Sequence, residues 1–176
     1  MKQFALDILT QLATVTGIKF QRMWNDQLNL DETQEQYSFP MPAVFVEFLN
    51  DQEIKQLGDG LQLYDNLIVR LHILHMELDA ADGTMEQNLN VFDFMQEVYK
   101  KMQRFEPAQA AAFVRVSEAR DYLHGNVYHG IQDYKTNYVD NSMQISTDGT
   151  TIDAGDVTLV PTVIYDPTKP YLKHKT

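Results

Sequence analysis

Two histidines and three acids crowd one stretch of this sequence: His72, His75, Glu77, Asp79 and Asp82. They fall where a run rich in Leu, Ile and Val meets the turn-forming residues 79–84. Side chains alternate faces on a strand, so His75, Glu77 and Asp79 share one face and His72 points to the other. Three donors at alternate positions form a chelating pattern for a divalent ion. Catalytic zinc, however, wants two or three nitrogens converging beside an open position, and this face offers one histidine. The stretch therefore reads as a strand leaving the core of a sheet, apolar at Val69, Leu71 and Ile73 and polar where it meets solvent.

A second constellation lies further on. Asp121 precedes Asp133-Tyr134-Lys135 across a Gly125-Asn126 turn. An acid on one strand followed by Asp-x-Lys on the next resembles the core of the PD-(D/E)xK nucleases. That resemblance implies Mg²⁺ held by Asp121 and Asp133, with Lys135 positioning or activating the attacking water and Glu97 as a third acid. No proline precedes Asp121, and the net charge is −11, from 25 acids against 14 Lys and Arg. A protein that grips phosphates presents the opposite sign. The nuclease is thus the alternative, and the expectation is a non-enzymatic protein with no cofactor and no bound metal. His124 and His129, on either side of the same turn, read as incidental. The chain contains neither a nucleophile elbow nor a complete calcium loop nor a Gly-rich phosphate loop.

The elements that would position these residues follow from periodicity. Phe4, Ile8, Leu12 and Val15 recur at helical spacing up to Gly17, a residue type common just past a helix end. Residues 18–24 alternate as a short strand, and residues 25–38 are polar and aperiodic, a long loop. Pro40 and Pro42 open a strand over residues 43–49, residues 51–59 read as a polar connection, and residues 60–78 form a strand too long for a compact sheet. Thr84 with Gln87 matches a capping box. Leu89, Phe92, Met95, Tyr99 and Met102 then trace a helical stripe, widened by Val91 and Val98. Residues 113–140 read as a hairpin turning at Gly125-Asn126.

At 176 residues the chain has room for one domain with a substantial core, and 44% apolar with 22% charged residues is ordinary globular usage. There are no cysteines, which removes disulfides, thiolate zinc sites and a cysteine nucleophile. Residues 1–16 lack the apolar run of a secretory signal, and no stretch approaches a membrane span, so a cytoplasmic site of synthesis is expected. After residue 140 the texture changes to turn dipeptides and prolines. Residues 167–176 carry Lys169, Lys173 and Lys175 without an acid, a basic arm on an acidic body. The expected class is α+β: a mixed or antiparallel sheet flanked by two helices, with long hairpins. The division expected is a core over residues 1–140 and an extended C-terminal arm over residues 141–176.

The order of these elements resembles the tail-terminator and tail-completion proteins of long-tailed bacteriophages, with the neck proteins that join tail to head. The matching pieces are Pro42-Ala43-Val44 opening a strand, the long strand through residues 67–76, the helix through residues 91–102, and the strand through residues 127–140. The resemblance covers about residues 1–140 and is one of topology; the long loop at 25–38 and the C-terminal segment depart from it. It implies a structural virion protein, assembled in the host cytoplasm, whose copies close a ring, typically a hexamer. Such a ring ends the tail tube and meets the head connector, with DNA passing through its lumen unbound. A head-completion adaptor on the capsid side of the neck is the variant of that reading. The partners implied are the chain itself, tail-tube and connector proteins, and DNA in transit; no membrane is involved. His75, Glu77 and Leu78 on the over-long strand, Gly125 and Asn126 at the hairpin tip, and Tyr171 and Lys173 in the arm are the interface candidates. Met41 and Trp24 are further apolar anchors.

Overall fold

The structure, a computed structural model, describes residues 1–28, 39–49, 54–76, 85–123 and 127–143, with the side chains of residues 85–88 left aside. Within them the order is α1 (Lys2–Leu12), β1 (Phe20–Met23), β2 (Ala43–Leu49), β3 (Ile54–Gly58), β4 (Leu61–Met76), α2 (Met85–Met102), β5 (Val114–Asp121) and β6 (Val127–Asp140). The strands form one six-stranded sheet in the order β1-β2-β4-β6-β5, with β3 pairing beside β2 along the first part of β4. β1 runs parallel to β2 and the other pairings are antiparallel. The fold is α+β with a mixed sheet, as the patterning predicts. The chain divides into two units, Met1–Gln144 and Ile145–Thr176, and the second lies outside the described residues together with the expected arm.

Both helices lie on one face of the sheet. Phe4, Ile8 and Leu12 of α1 and Val91, Phe94, Met95, Val98 and Met102 of α2 pack on Val44, Val46, Val69, Leu71, Ile73, Tyr128 and Tyr134. The stripe on α2 is rotated from the one its sequence suggests: Phe94 is buried, while Leu89 and Phe92 are about half exposed. Met95 sits over Gly130, where a Cβ would stand only 3.0 Å from its sulfur and terminal methyl. A side chain at position 130 would press on the end of Met95, which would have to give by a few tenths of an ångström.

The opposite face carries no helix among the described residues. Part of it is covered by the ends of the β1–β2 connection: Leu28, Phe39, Ala43, Phe45, Leu74 and Val127 form a second cluster, flanked by Phe20, Trp24 and Met41. The rest of this face mixes polar and charged side chains such as Arg70, His72, His129 and Asp133 with Ile68 and Ile131.

Two expectations are corrected. Residues 51–59 were expected as a connection only, yet Ile54–Gly58 is a strand turning into β4 through Asp59 and Gly60, both with positive φ. An edge strand exposed on both faces needs no apolar alternation, so its sequence carries no strand signal. The long strand β4 was expected to outrun the sheet at His75. Instead β6 pairs it from Gln62 to Met76, and His75 lies opposite Tyr128. One irregularity interrupts that ladder: between Tyr64 and Leu67 β4 holds an extra residue, and Asn66 takes a left-handed φ of 59°. The bulge changes the phase of alternation, so Tyr64 and Leu67 both face the helices.

Candidate functional site

The helix-free face brings together side chains far apart in sequence. Strand alternation puts Glu47, His72, His129 and Asp121 on that face, and the register sets them in a row across β2, β4, β6 and β5. Nε2 of His72 lies 3.1 Å from Oε2 of Glu47, Nδ1 of His72 lies 2.9 Å from Nε2 of His129, and Nδ1 of His129 lies 3.3 Å from Oδ2 of Asp121. The two imidazoles are buried, whereas the end carboxylates reach solvent, with side-chain exposures of 33% for Glu47 and 25% for Asp121. Trp24, just past β1, covers the row: its indole stacks on His72 with centroids 3.9 Å apart and planes within 9°. The backbone N–H of Trp24 donates to the Val46 carbonyl at 2.8 Å, fixing this residue's main chain to β2.

Burial holds the His72 imidazole below its ordinary pKa, because desolvation disfavours the cation more than neighbouring Glu47 restores it. Beside the row, Arg70 and Asp133 stand directly opposite each other on β4 and β6. Nε and Nη2 of Arg70 donate to Oδ1 and Oδ2 of Asp133 at 2.8 and 3.0 Å. These two charge-assisted hydrogen bonds raise the Arg70 pKa above its ordinary value.

This geometry sorts the residues singled out in the sequence. Asp133 and Lys135 share a face, but Asp133 is held by Arg70. Asp121 sits opposite His129, four residues along β6 from Asp133, or roughly 13 Å at the usual strand rise. Asp121 and Asp133 are therefore not brought onto one ion. Glu97 lies on α2, across the sheet, and pairs with Lys100. Among the described residues no three His, Cys, Asp or Glu side chains converge as a metal site. His75 faces the helices, with its ring 6.2 Å from that of Phe94. Glu77, Leu78, Gly125, Asn126, Tyr171 and Lys173, like Asp79, Asp82 and His124, lie outside the described residues.

Sequence reasoning passed over His72 and read His129 as incidental. The only signal available was their parity: both fall on the strand face opposite the apolar stripe. A row made diagonally across four strands appears only once the register is known.

A different polar arrangement fills an open groove between α2 and β5. Arg115 stacks on Tyr99 with its guanidinium carbon 3.9 Å from the ring centroid, and it pairs with Glu118. Fully buried Gln132 donates to Glu118 at 3.0 Å and accepts from the Tyr134 hydroxyl at 2.8 Å. Burial raises the Tyr134 pKa, so this hydroxyl stays a donor. These groups satisfy one another.

No helix among the described residues is long and apolar enough to cross a membrane. No protein-family model matches the chain, and no curated protein matches it.

Proposed function

We propose that this protein is a structural, non-enzymatic component of a phage tail or neck, acting as a ring of identical subunits that ends the tail tube and meets the head connector. The observation that carries the reading is the edge of the sheet at β5, which pairs with no further strand among the described residues. This eight-residue strand closes the sheet on one side with half-exposed Val114 and Val116, and beyond it Tyr122 and Leu123 are 77% and 85% exposed. Soluble proteins normally shield such an edge, and a neighbouring copy in a ring does so.

The acidic balance supports the same reading, since like charge lets DNA slide through a lumen that a basic surface would hold. The commitment of Asp133 to Arg70 and of Asp121 to His129 weighs against the nuclease alternative. The test is negative-stain electron microscopy of the purified full chain with its mass from light scattering, alone and with tail-tube protein. Rings with a central hole are expected. A protein that stays monomeric under both conditions overturns the proposal.

A further inference from the structure

The row Glu47–His72–His129–Asp121 makes three contacts in series. Two are at hydrogen-bond distance, 3.1 and 2.9 Å, and each needs one hydrogen. The third, a 3.3 Å approach of Nδ1 of His129 to Oδ2 of Asp121, lacks hydrogen-bond geometry and is favourable only as an ion pair, with a hydrogen on that nitrogen. The carboxylates at the ends are partly exposed and bring none at neutral pH. Two neutral imidazoles carry one N–H each, which leaves one of the three contacts as two facing lone pairs. Two imidazolium ions carry four N–H groups and set two hydrogens against each other across the 2.9 Å gap between the rings. Only three ring hydrogens, one imidazole and one imidazolium, satisfy the whole row.

We propose that His72 and His129 together bind a single proton at neutral pH, and that this shared charge fastens Trp24 and the end of β1 to the sheet. The surroundings suit positive charge, and the 2.9 Å gap between the rings, with room for one hydrogen, limits it to one. Glu47 on β2 and Asp121 on β5 face the pair with negative charge, and Asp133 on β6 does so from beside the row, with its charge already matched by Arg70 on β4. From the β1 side the pair meets the Trp24 indole, whose face attracts a cation. Burial depresses the His72 imidazole, which assigns the extra hydrogen to His129, where it points at Asp121.

The same geometry resembles a metal site without its metal, because each ring turns its outer nitrogen to a carboxylate as metal-bound histidines do. At 2.9 Å, however, the inner nitrogens stand at hydrogen-bond distance. A tetrahedral zinc with bonds of about 2.0 Å would hold its nitrogens roughly 3.3 Å apart. The proton fits the gap as it stands. This inference concerns the subunit alone and does not depend on the ring reading.

The experiment is histidine-selective ¹H–¹⁵N NMR on the uniformly labelled full chain, paired with the fluorescence of its single tryptophan. At pH 7.5 the pair is expected to show three protonated ring nitrogens and one imidazolium. Raising the pH should remove the third hydrogen and brighten Trp24 in the same step, since an imidazolium against indole quenches it. His72→Gln and His129→Gln assign the signals. Asp121→Asn, at a partly exposed position that should leave the fold intact by circular dichroism, should lose the third hydrogen at pH 7.5. Two neutral rings at that pH, or an Asp121→Asn spectrum like that of the parent, overturn the proposal. So does equimolar Zn²⁺ that replaces the ring-hydrogen signals and is reversed by chelator, which would make the pair a metal site.

Discussion

Arg70 holds Asp133 in a two-bond grip across the centre of the sheet, with both residues at directly opposed positions of β4 and β6. Asp133 is almost buried and Arg70 partly so, with side-chain exposures of 11% and 32%. Removing the carboxylate leaves the partly buried guanidinium with only Glu47, directly opposite it on β2, as a neighbouring acid, and that carboxylate is already engaged by His72. Asp133→Ala is expected to cost about 2 kcal/mol of unfolding free energy, measured by urea titration. Adding Arg70→Met should restore part of it, because the stranded charge leaves too. Equal and additive losses would mean that the pair acts as two independent residues.

The same grip bears on chemistry. An acid needed for Mg²⁺ cannot also serve as the full partner of an arginine, and Asp121 lies too far along the sheet to share an ion with it. Plasmid DNA incubated with the protein and Mg²⁺ or Mn²⁺ is expected to remain intact by gel electrophoresis. Cleavage that disappears in Asp133→Ala but persists in a fold-matched control such as Asn66→Gly would establish the nuclease instead.

Much of the architecture is legible in the sequence, for identifiable reasons. α1 buries one face, so period alone identifies it. β2, buried on both faces over its first four residues, is legible as a Val- and Phe-rich run after two prolines, and the β5–β6 hairpin as two extended runs around Gly125-Asn126. The rotation of α2 is a subtler matter. Leu89, Phe92, Met95, Tyr99 and Met102 fit a helical period as well as Val91, Phe94, Met95, Val98 and Met102 do, and helical period cannot choose between overlapping stripes. The sheet makes the choice, since its apolar face takes Val91, Phe94 and Val98 together with Met95 and Met102. The histidine row was not legible because its 57-residue link from His72 to His129 is made diagonally between strands. Alternation tells which face a residue takes but not which neighbour it meets.

Asn66 offers a local test of the bulge that rephases β4. Its φ of 59° is open to asparagine and glycine but strained for a β-branched residue, and its N–H is held by the Asn137 side chain at 2.8 Å. Asn66→Val is therefore expected to destabilise by roughly 1–2 kcal/mol in thermal or chemical unfolding, and Asn66→Gly by well under that. Since Asn66 is exposed, lost packing does not confuse the comparison. Equal stability of the two variants would show that the bulge relaxes without cost.

Acid should weaken the sheet through His72. Its imidazole is depressed when folded and ordinary when unfolded, so between those two values the unfolded chain binds more protons. The stability that neutral His72 contributes is complete above the unfolded value of about 6.5 and is lost as pH falls below it toward the folded value. The unfolding midpoint in urea should therefore decline over that range in the parent and stay flatter in His72→Gln. A parent profile as flat as the variant's would show that burial of His72 carries no such linkage.

The assembly reading makes its sharpest prediction at β5. Of the three edge strands among the described residues, β3 has five residues, exposed throughout, and β1 has only four, with its Phe20 occupied with Phe39 and Phe45. β5 is twice as long, and between Arg115 and Ser117 it carries an irregularity that leaves Val116 half exposed. A lysine there places a charge where a neighbour would have to bury apolar surface, while the subunit keeps its own packing. Val116→Lys is expected to change unfolding free energy by no more than about 0.5 kcal/mol and to remove higher-order species from light scattering and micrographs. If the variant assembles as the parent does, the β5 edge is not the contact between copies. If it fails to fold, Val116 belongs to the subunit's own core.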